Sequence, residues 1–233
     1  MQNGQISLTV QQFAAMIDQT LLKPAVCDAD FQQFCAVSAQ YSFKMVAINS
    51  TMTKRCKELL HGSSVHVGAA VGFPLGQTTI AAKRFEAVEA IENGADEIDY
   101  VVNLVELKSR HPDYVEREMR EIVGVCRAHD VISKVIFENC YLTGEEKKQL
   151  CAIARNVGPD FIKTSTGFGP SGAMVEDVRL MKSLAGDRVK VKAAGGIRDL
   201  ETALAMIEAG AERLGTSSGV ALVEEYRQRQ HEA

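Results

Sequence analysis

The stretch Thr78–Val102 reads TTIAAKRFEAVEAIENGADEIDYVV and joins a helix pattern directly to a strand pattern. From position 78 to Asn93, apolar residues recur at helical spacing, which predicts an amphipathic helix that packs its apolar stripe on the rest of the fold. The stripe consists of Ala81, Ala82, Phe85 and Val88, with Glu89 and Glu92 on the charged face. Asn93-Gly94 tolerates the left-handed geometry that ends helices. Glu97–Val102 then has the length and apolar content of a buried strand.

The same alternation of short apolar runs and helical stretches continues along the chain, after an opening helix predicted near Leu8 to Ile17. The predicted strands are Thr20–Leu22, Lys44–Ile48, Val65–Val71, Glu97–Val102, Ser133–Phe137, Phe161–Lys163, Val189–Lys192 and Arg213–Leu214. Alternating strands and helices form parallel βαβ units. Eight such units predict an α/β fold, a single (β/α)8 TIM barrel domain over residues 1–233 with an extra N-terminal helix.

An open, doubly wound sheet is the alternative arrangement of these strands. Such a sheet gathers its ligand loops at one switch point, whereas a barrel distributes them around its C-terminal face. Polar or small residues follow many of the predicted strands, which favours closure. They are Asp18, Asn49, Asn103, Glu138, Thr164, Gly195 and Ser217.

Composition limits the partners and cofactors. Lys and Arg number 26 against 30 Asp and Glu, so a net charge of -4 predicts binding to neither nucleic acid nor a membrane surface. The N-terminus lacks a secretory pattern, and we expect cytoplasmic residence. The six cysteines form no C-x-x-C pair and the five histidines no helical ligand pair, so we predict no metal or other cofactor.

Two lysines end neighbouring predicted strands, Lys163 in DFIKTSTG and Lys192 in VKVKAAGG. A buried ammonium loses hydration, and a second one nearby repels it, so the pKa of each lysine is lowered. A lysine of lowered pKa supplies the neutral amine that attacks a carbonyl to form a Schiff base. A structural lysine that extends to the barrel rim is the alternative for either residue alone.

A carboxylate within a predicted strand, Asp99 in DEIDYVV, completes a candidate catalytic trio. If its face is the barrel interior, Asp99 compensates the charge of Lys192 and passes protons through water. Lys190 lies two residues before Lys192, so its side chain is expected on the same face of the strand. We predict that it forms a buried pair with Glu97.

Glycine-rich turns follow the last three predicted strands: Gly167, Gly195-Gly196 and Gly215-Thr216-Ser217-Ser218-Gly219. Barrels bind phosphate on such loops, so a phosphorylated substrate is expected. Residues 167–172 also match G-x-G-x-x-G, but after the sixth strand and with Pro170 inside the turn, which argues against dinucleotide binding.

The chain resembles the deoxyribose-phosphate aldolase family over nearly its whole length. The motifs that carry the resemblance are residues 17–24 (IDQTLLKP), 71–76 (VGFPLG), 95–99 (ADEID), 161–168 (FIKTSTGF), 191–198 (VKAAGGIR) and 214–219 (LGTSSG). The resemblance implies reversible cleavage of 2-deoxy-D-ribose 5-phosphate into D-glyceraldehyde 3-phosphate and acetaldehyde. It also implies a Schiff base on Lys163, proton transfer by Lys192 and Asp99, and no cofactor.

The resemblance also implies where the substrate and its phosphate bind. Gly167, Gly196, Ser217 and Ser218 match positions expected near phosphate, and Thr166, Gly195 and Asp18 complete the candidate binding residues. Three positions depart from the family pattern. They are Gln19, where histidine is frequent, Ala47, where many members have cysteine, and Phe168, where some have lysine.

Two other functions remain open from sequence alone. One is a phosphosugar isomerase or synthase that uses the glycine loops without an imine, and the other is a non-catalytic phospholigand-binding relative. For the assembly, we expect a homodimer or a higher homo-oligomer, since two-fold homo-oligomers are the commonest soluble assemblies.

Overall fold

Eight parallel strands form a closed barrel in the computed structural model, which describes residues 8–232. Neighbours in sequence are neighbours in the barrel, and Ile17 opposite Leu214 closes it between the first and last strands. The TIM barrel predicted from the alternation is therefore confirmed, and the open sheet is excluded. The strands are β1 (Ile17–Leu21), β2 (Met45–Asn49), β3 (His66–Val71), β4 (Glu97–Val101), β5 (Ile132–Ile136), β6 (Phe161–Lys163), β7 (Lys190–Ala194) and β8 (Arg213–Thr216).

Helices follow the strands and surround the barrel. They are α1 (Val10–Ala14), α2 (Asp28–Gln40), α3 (Thr53–Leu59), α4 (Ile80–Glu92), α5 (Leu104–Lys108), α6 (Pro112–Ala128), α7 (Gly144–Val157), α8 (Val175–Ala185), α9 (Leu200–Glu208) and α10 (Gly219–Glu232). Two 3-10 turns, Ser50–Met52 and Asn139–Tyr141, follow β2 and β5. Among the helices of the described range, none has the length and apolar character needed to cross a bilayer.

Local sequence signals set the helix ends. The Thr79 side chain accepts a hydrogen bond from the backbone of Ala82 at the start of α4, and the Asp199 side chain accepts one from Thr202 at the start of α9. Thr143 and Glu146 form a capping box on α7, and Gly158 ends that helix in the left-handed conformation. These contacts satisfy backbone groups that lack partners at helix ends, which fixes where each strand follows.

The apolar core lies between the barrel wall and the helices. Outward residues of the strands, such as Ile98, Val135, Ile162 and Leu214, are fully buried in it. In β4 the alternate residues Glu97 and Asp99 therefore point into the barrel, where they are also buried. The two faces of β4 thus separate an apolar outer core from a charged interior.

Two predicted boundaries at the N-terminus are wrong. The opening helix covers only Val10–Ala14, and the first strand begins at Ile17 instead of Thr20. Asp18 thereby lies within β1, in register with Gly215 of β8. The helix is short because β1 begins at Ile17, the residue at which the helix was predicted to end.

The predicted buried face of α4 is also wrong. Ala81 and Ala82 are exposed and Phe85 is 72% exposed, whereas Lys83 is fully buried. Lys83 Nζ donates to Glu118 of α6 at 2.6 Å and to the Val101 carbonyl at 2.7 Å. Because the buried Lys83 has two acceptors, the face of α4 that carries it points inward. The predicted apolar stripe therefore faces outward.

Candidate active site

The structure brings the three predicted catalytic residues together at the C-terminal end of the barrel, where TIM-barrel active sites lie. Lys163 is the last residue of β6 and is in register with Lys192 of β7. Lys163 Nζ donates to Asp99 Oδ2 at 2.8 Å, and Lys192 Nζ donates to the same oxygen at 2.7 Å. Two amines thus converge on one carboxylate oxygen, and each of the three residues is at most 4% exposed.

The environment makes Lys163 an amine that is easily deprotonated. Burial lowers the pKa of Lys163, and Lys192 lowers it further, against the opposing effect of Asp99, so that it falls to about 8. Burial alone would raise the pKa of Asp99, but Lys134, Lys163 and Lys192 outweigh it and hold this pKa well below its usual range. A carboxylate therefore stays ionised beside an amine that is partly neutral near physiological pH.

Four further charged residues surround the trio, and sequence reasoning assigned a correct contact to none of them. Lys134 of β5 donates to Asp99 Oδ1 at 2.7 Å and also contacts Glu97. Burial lowers the pKa of Lys134, but Asp99 and Glu97 outweigh burial, and its pKa is raised. Arg213 of β8 contacts Glu97 at 3.1 Å and Asp18 Oδ1 at 2.7 Å.

Asp18, whose assignment to substrate binding stays a prediction, lies inside this charged group. Its Oδ2 is 2.5 Å from Lys192 Nζ, and its side chain is fully buried. The position suits Asp18 to hold Lys192 in place. A buried carboxylate that already contacts two cations is a poor ligand for an anionic phosphate.

The predicted pair between Lys190 and Glu97 is wrong. Lys190 is exposed, and its Nζ lies 5.6 Å from the centre of the Phe161 ring. Lys190 is the first residue of β7, where the barrel opens at its N-terminal end and a long side chain reaches solvent. Glu97 instead contacts Lys134 and Arg213, and its Oε1 is 2.7 Å from His66 Nδ1.

A cavity of about 520 Å³ opens beside Lys163. Its lining includes most of the residues predicted to bind substrate, namely Thr166, Gly167, Gly195, Gly196 and Ser217. Ser218 follows at the start of α10, where its backbone N–H donates to Thr216 Oγ1 at 2.9 Å. Two exposed cations that sequence reasoning did not select, Lys23 and Arg198, also line the cavity.

Glycine is required where the loops after β6 and β7 pack against each other. Gly195 has φ +85°, and a Cβ there would lie 3.0 Å from Gly172 Cα and 3.4 Å from Gly167 Cα. The two loops thus meet backbone against backbone. Gly215 has a second role, because a Cβ there would lie 2.8 Å from Ala194 Cβ and 3.2 Å from Lys192 Cε and would crowd both residues.

Glu138 fixes the loop that follows Lys163. It is buried, has φ +55°, and accepts hydrogen bonds from Thr166 through both the backbone N–H, at 3.1 Å, and the hydroxyl. Thr166 Oγ1 in turn accepts from the Phe168 backbone N–H at 3.0 Å. The hydroxyl of Thr166 therefore orders the turn, and substrate binding by Thr166 stays a prediction.

The departure at Gln19 has a structural role. Gln19 Oε1 accepts from the Gly219 backbone N–H at 3.1 Å, and its Nε2 donates to the Ser217 carbonyl at 3.4 Å. These two bonds tie the loop after β8 to β1. The amide thus shapes the wall of the cavity on which Ser217 lies.

The charged residues that sequence reasoning missed had a detectable signal. Lys134 is the only charged residue of β5 and lies opposite Asp99 in the register between β4 and β5. Arg213 begins β8 and pairs in register with Lys192. A charged side chain on the inward parity of a barrel strand requires a partner in the interior, and the search for such partners would have found both residues.

An eight-stranded barrel with a buried lysine of lowered pKa, a second lysine beside it and an adjoining cavity has the features of a class I, Schiff-base-forming aldolase. Residues 12–224 match the model of the DeoC/LacD family of aldolases. The chain belongs to this family and is a carbon–carbon lyase.

Individual relatives agree with the family match. A deoxyribose-phosphate aldolase from Lactobacillus acidophilus is 55% identical, with 91% of this chain and 90% of that protein covered. One from Bacteroides thetaiotaomicron is 52% identical, with 95% and 93% covered. Among solved structures, the tetrameric deoxyribose phosphate aldolase from Aeropyrum pernix is 32% identical, with a TM-score of 0.87 and coverage of 94% of this chain and 92% of that one.

Proposed function

We propose that the protein catalyses the reversible cleavage of 2-deoxy-D-ribose 5-phosphate into D-glyceraldehyde 3-phosphate and acetaldehyde through an imine on Lys163. The observation that carries the proposal is the convergence of Lys163 and Lys192 on Asp99 Oδ2, beside a glycine-lined cavity. The substrate follows from relatives about 50% identical that are named deoxyribose-phosphate aldolase.

The reaction begins when the neutral amine of Lys163 attacks the C1 carbonyl of the open-chain sugar and water is lost. The protonated imine withdraws electrons from the C2–C3 bond. When the 3-hydroxyl loses its proton, that bond breaks, its electron pair moves to form an enamine on Lys163, and the phosphorylated aldehyde departs. Protonation of the enamine carbon and addition of water then release acetaldehyde and restore the amine.

Lys192 and Asp99 are the residues we assign to proton transfer, with a bridging water between them and the reacting carbons. Asp99 is held ionised by three ammonium groups, so it accepts hydrogen bonds from both amines and orients them. Lys192 Nζ contacts the same Asp99 oxygen as Lys163 Nζ, and we assign it the role of proton donor. Asp18 positions Lys192 from the opposite side at 2.5 Å.

The phosphate group of the substrate is assigned to the loops after β6, β7 and β8. Gly167, Gly195 and Gly196 leave their backbone close to the cavity, and Ser217 and Ser218 directly precede α10. Backbone N–H groups at a helix start favour an anion. Arg198 adds a cation that is not engaged in the interior charges.

Borohydride trapping tests the proposal. The protein is reduced in the presence of acetaldehyde or of the sugar phosphate, and peptide mass spectrometry locates the modified lysine. With acetaldehyde we expect N-ethyl lysine at position 163, and no adduct in Lys163→Ala. Lys190→Ala, which removes an exposed lysine on the adjacent strand, is the matched control and should retain the adduct.

The same experiment separates the alternatives. Conversion of a phosphosugar without any adduct would favour an isomerase or synthase. Binding of the sugar phosphate without conversion or adduct would favour a phospholigand-binding relative.

For the assembly, we propose a homodimer or higher homo-oligomer in which the α4–α6 surface contacts a second copy of the chain. This surface presents Ile80, Phe85 and Val88 beside Arg84 and Glu121, which contact each other at 3.8 Å. Residues of both signs beside an apolar centre suit a two-fold contact, in which the arginine of one copy meets the glutamate of the other. The tetrameric relative from Aeropyrum pernix supports self-association.

The location of the protein is likewise a proposal. All six cysteines are free thiols, and four of them are buried. Thiols persist in the reducing cytoplasm, and we propose that the protein acts there on small-molecule substrates.

A further inference from the structure

Six charged side chains beneath Lys163 form a closed ring of alternating sign. Each carboxylate contacts two cations, and each cation contacts two carboxylates. The ring runs through Asp99, Lys134, Glu97, Arg213, Asp18 and Lys192 and returns to Asp99. All six residues are at most 5% exposed, so the ring is sealed from solvent.

The charges within the ring cancel, because three carboxylates face three cations. Lys163 is the seventh charged group, and it contacts only Asp99 Oδ2, an oxygen that it shares with Lys192. A protonated Lys163 therefore adds one uncompensated positive charge beside a buried, neutral ring. Such a charge is costly unless the group gives up its proton.

The contrast with Lys134 shows the effect of the second partner. Both lysines are buried, but Lys134 contacts two carboxylates and Lys163 contacts one. Burial lowers both pKa values, yet the net result is a raised pKa for Lys134 and a lowered pKa for Lys163. The number of carboxylate partners therefore separates the two lysines, and the distance to Asp99 does not, because the two distances are 2.7 and 2.8 Å.

We propose that Lys134, Arg213 and Asp18 are positioning residues for the aldolase reaction, and that the neutral ring they complete selects Lys163 as the amine that loses its proton. The ring holds the Lys192 amine between the carboxylates of Asp18 and Asp99, beside the site of the reaction. Lys134 donates to Asp99 Oδ1, which leaves Asp99 Oδ2 to accept from Lys163. This inference rests on the proposed imine mechanism.

The net charge of the ring determines the direction of each test. Lys134→Met leaves the ring with one negative charge, which compensates protonated Lys163 and raises its pKa. Asp18→Asn leaves one positive charge and lowers that pKa. The double variant Lys134→Met/Asp18→Asn restores neutrality, because Lys192 keeps Asp99 and Arg213 keeps Glu97.

The readout is the acid limb of the pH profile of kcat/KM, which reports groups of the free enzyme. We expect the limb to move to higher pH in Lys134→Met and to lower pH in Asp18→Asn, by about one unit or more, as is usual for a nearby charge. The double variant should return towards wild type. Lys83→Met is the control, since it breaks a fully buried ion pair outside the barrel and should leave the limb in place.

If the substitutions acted only through lost packing, the acid limb of the kcat/KM profile would shift equally in every variant or not at all. Shifts of the same sign in the two single variants, or no return in the double variant, would overturn the proposal. If Lys134→Met does not fold, Asp18→Asn and the double variant still differ in ring charge and decide the question. Borohydride trapping of wild type separates the two hypotheses, because absence of the Lys163 adduct refutes the imine, whereas an adduct with unmoved limbs refutes only the ring.

Discussion

Replacing Lys163 with methionine should abolish the reaction and, near neutral pH, make the protein more stable. In the folded protein the pKa of Lys163 is about 8, compared with an ordinary value of 10.5. The unfolded chain therefore binds this proton more tightly than the folded one. Protonated Lys163 opposes folding, and methionine removes that cost while it retains a long, unbranched side chain.

The two pKa values give the magnitude. Between them the unfolded state binds more protons, so the contribution of Lys163 to stability is unfavourable at low pH and becomes less so as pH rises. With about 1.4 kcal/mol for each pKa unit, the penalty is about 3 kcal/mol near pH 7 and about 1 kcal/mol near pH 9.5. The stability advantage of Lys163→Met over wild type should therefore decrease by about 2 kcal/mol between these two pH values.

Urea unfolding of both proteins at the two pH values measures the effect. The other titratable groups are common to both proteins. The change with pH in the difference between their free energies of unfolding therefore isolates Lys163. Lys190→Met is the matched control, because Lys190 is exposed and its replacement should leave the pH dependence of stability unchanged.

Parallel stability curves for wild type and Lys163→Met would refute the reasoning. They would mean that Lys163 binds its proton equally well in the folded and unfolded states. If the stability of Lys163→Met relative to wild type instead increased with rising pH, the sign would be the opposite. Lys163 would then be a lysine of raised pKa held by Asp99.

Three further predictions concern the proton relay, the loops and the assembly. Asp99→Asn should lower kcat by about 10²- to 10⁴-fold, as expected for loss of acid–base assistance; steady-state kinetics measure this, and a kcat near that of wild type would remove Asp99 from the mechanism. Gly195→Ala should strain the loop by about 1 to 3 kcal/mol, because of its φ of +85° and its contact with Gly172. The KM for the phosphorylated sugar should rise while that for unphosphorylated deoxyribose changes little, and equal changes would contradict the placement of the phosphate. Phe85→Glu should reduce the mass measured by light scattering to that of a monomer, and an unchanged mass would exclude the α4–α6 surface as the contact.

The sequence by itself determined the barrel and the convergence of Lys163, Lys192 and Asp99. Eight short apolar runs that alternate with helices leave few parallel arrangements, and polar residues after many strands favour closure. Lys163 and Lys192 end adjacent predicted strands, so they are expected at the same end of a parallel barrel, and the two-residue repeat of β4 brings Asp99 to the same interior. These inferences depend only on the two-residue repeat of a strand and on chain order.

Only the tertiary structure decided how the remaining charges pair. Lys190 and Glu97 have the right parity for a buried pair, yet Lys190 is at the open end of β7 and Glu97 contacts Lys134 and Arg213. Likewise, α4 buries Lys83 and exposes Phe85, because Glu118 on another helix accepts the lysine. Parity tells which face of a strand a side chain takes, but its height in the barrel and its partner on another element depend on strand stagger and helix rotation. Both are set by contacts between residues far apart in the chain, and a local pattern contains no information about them.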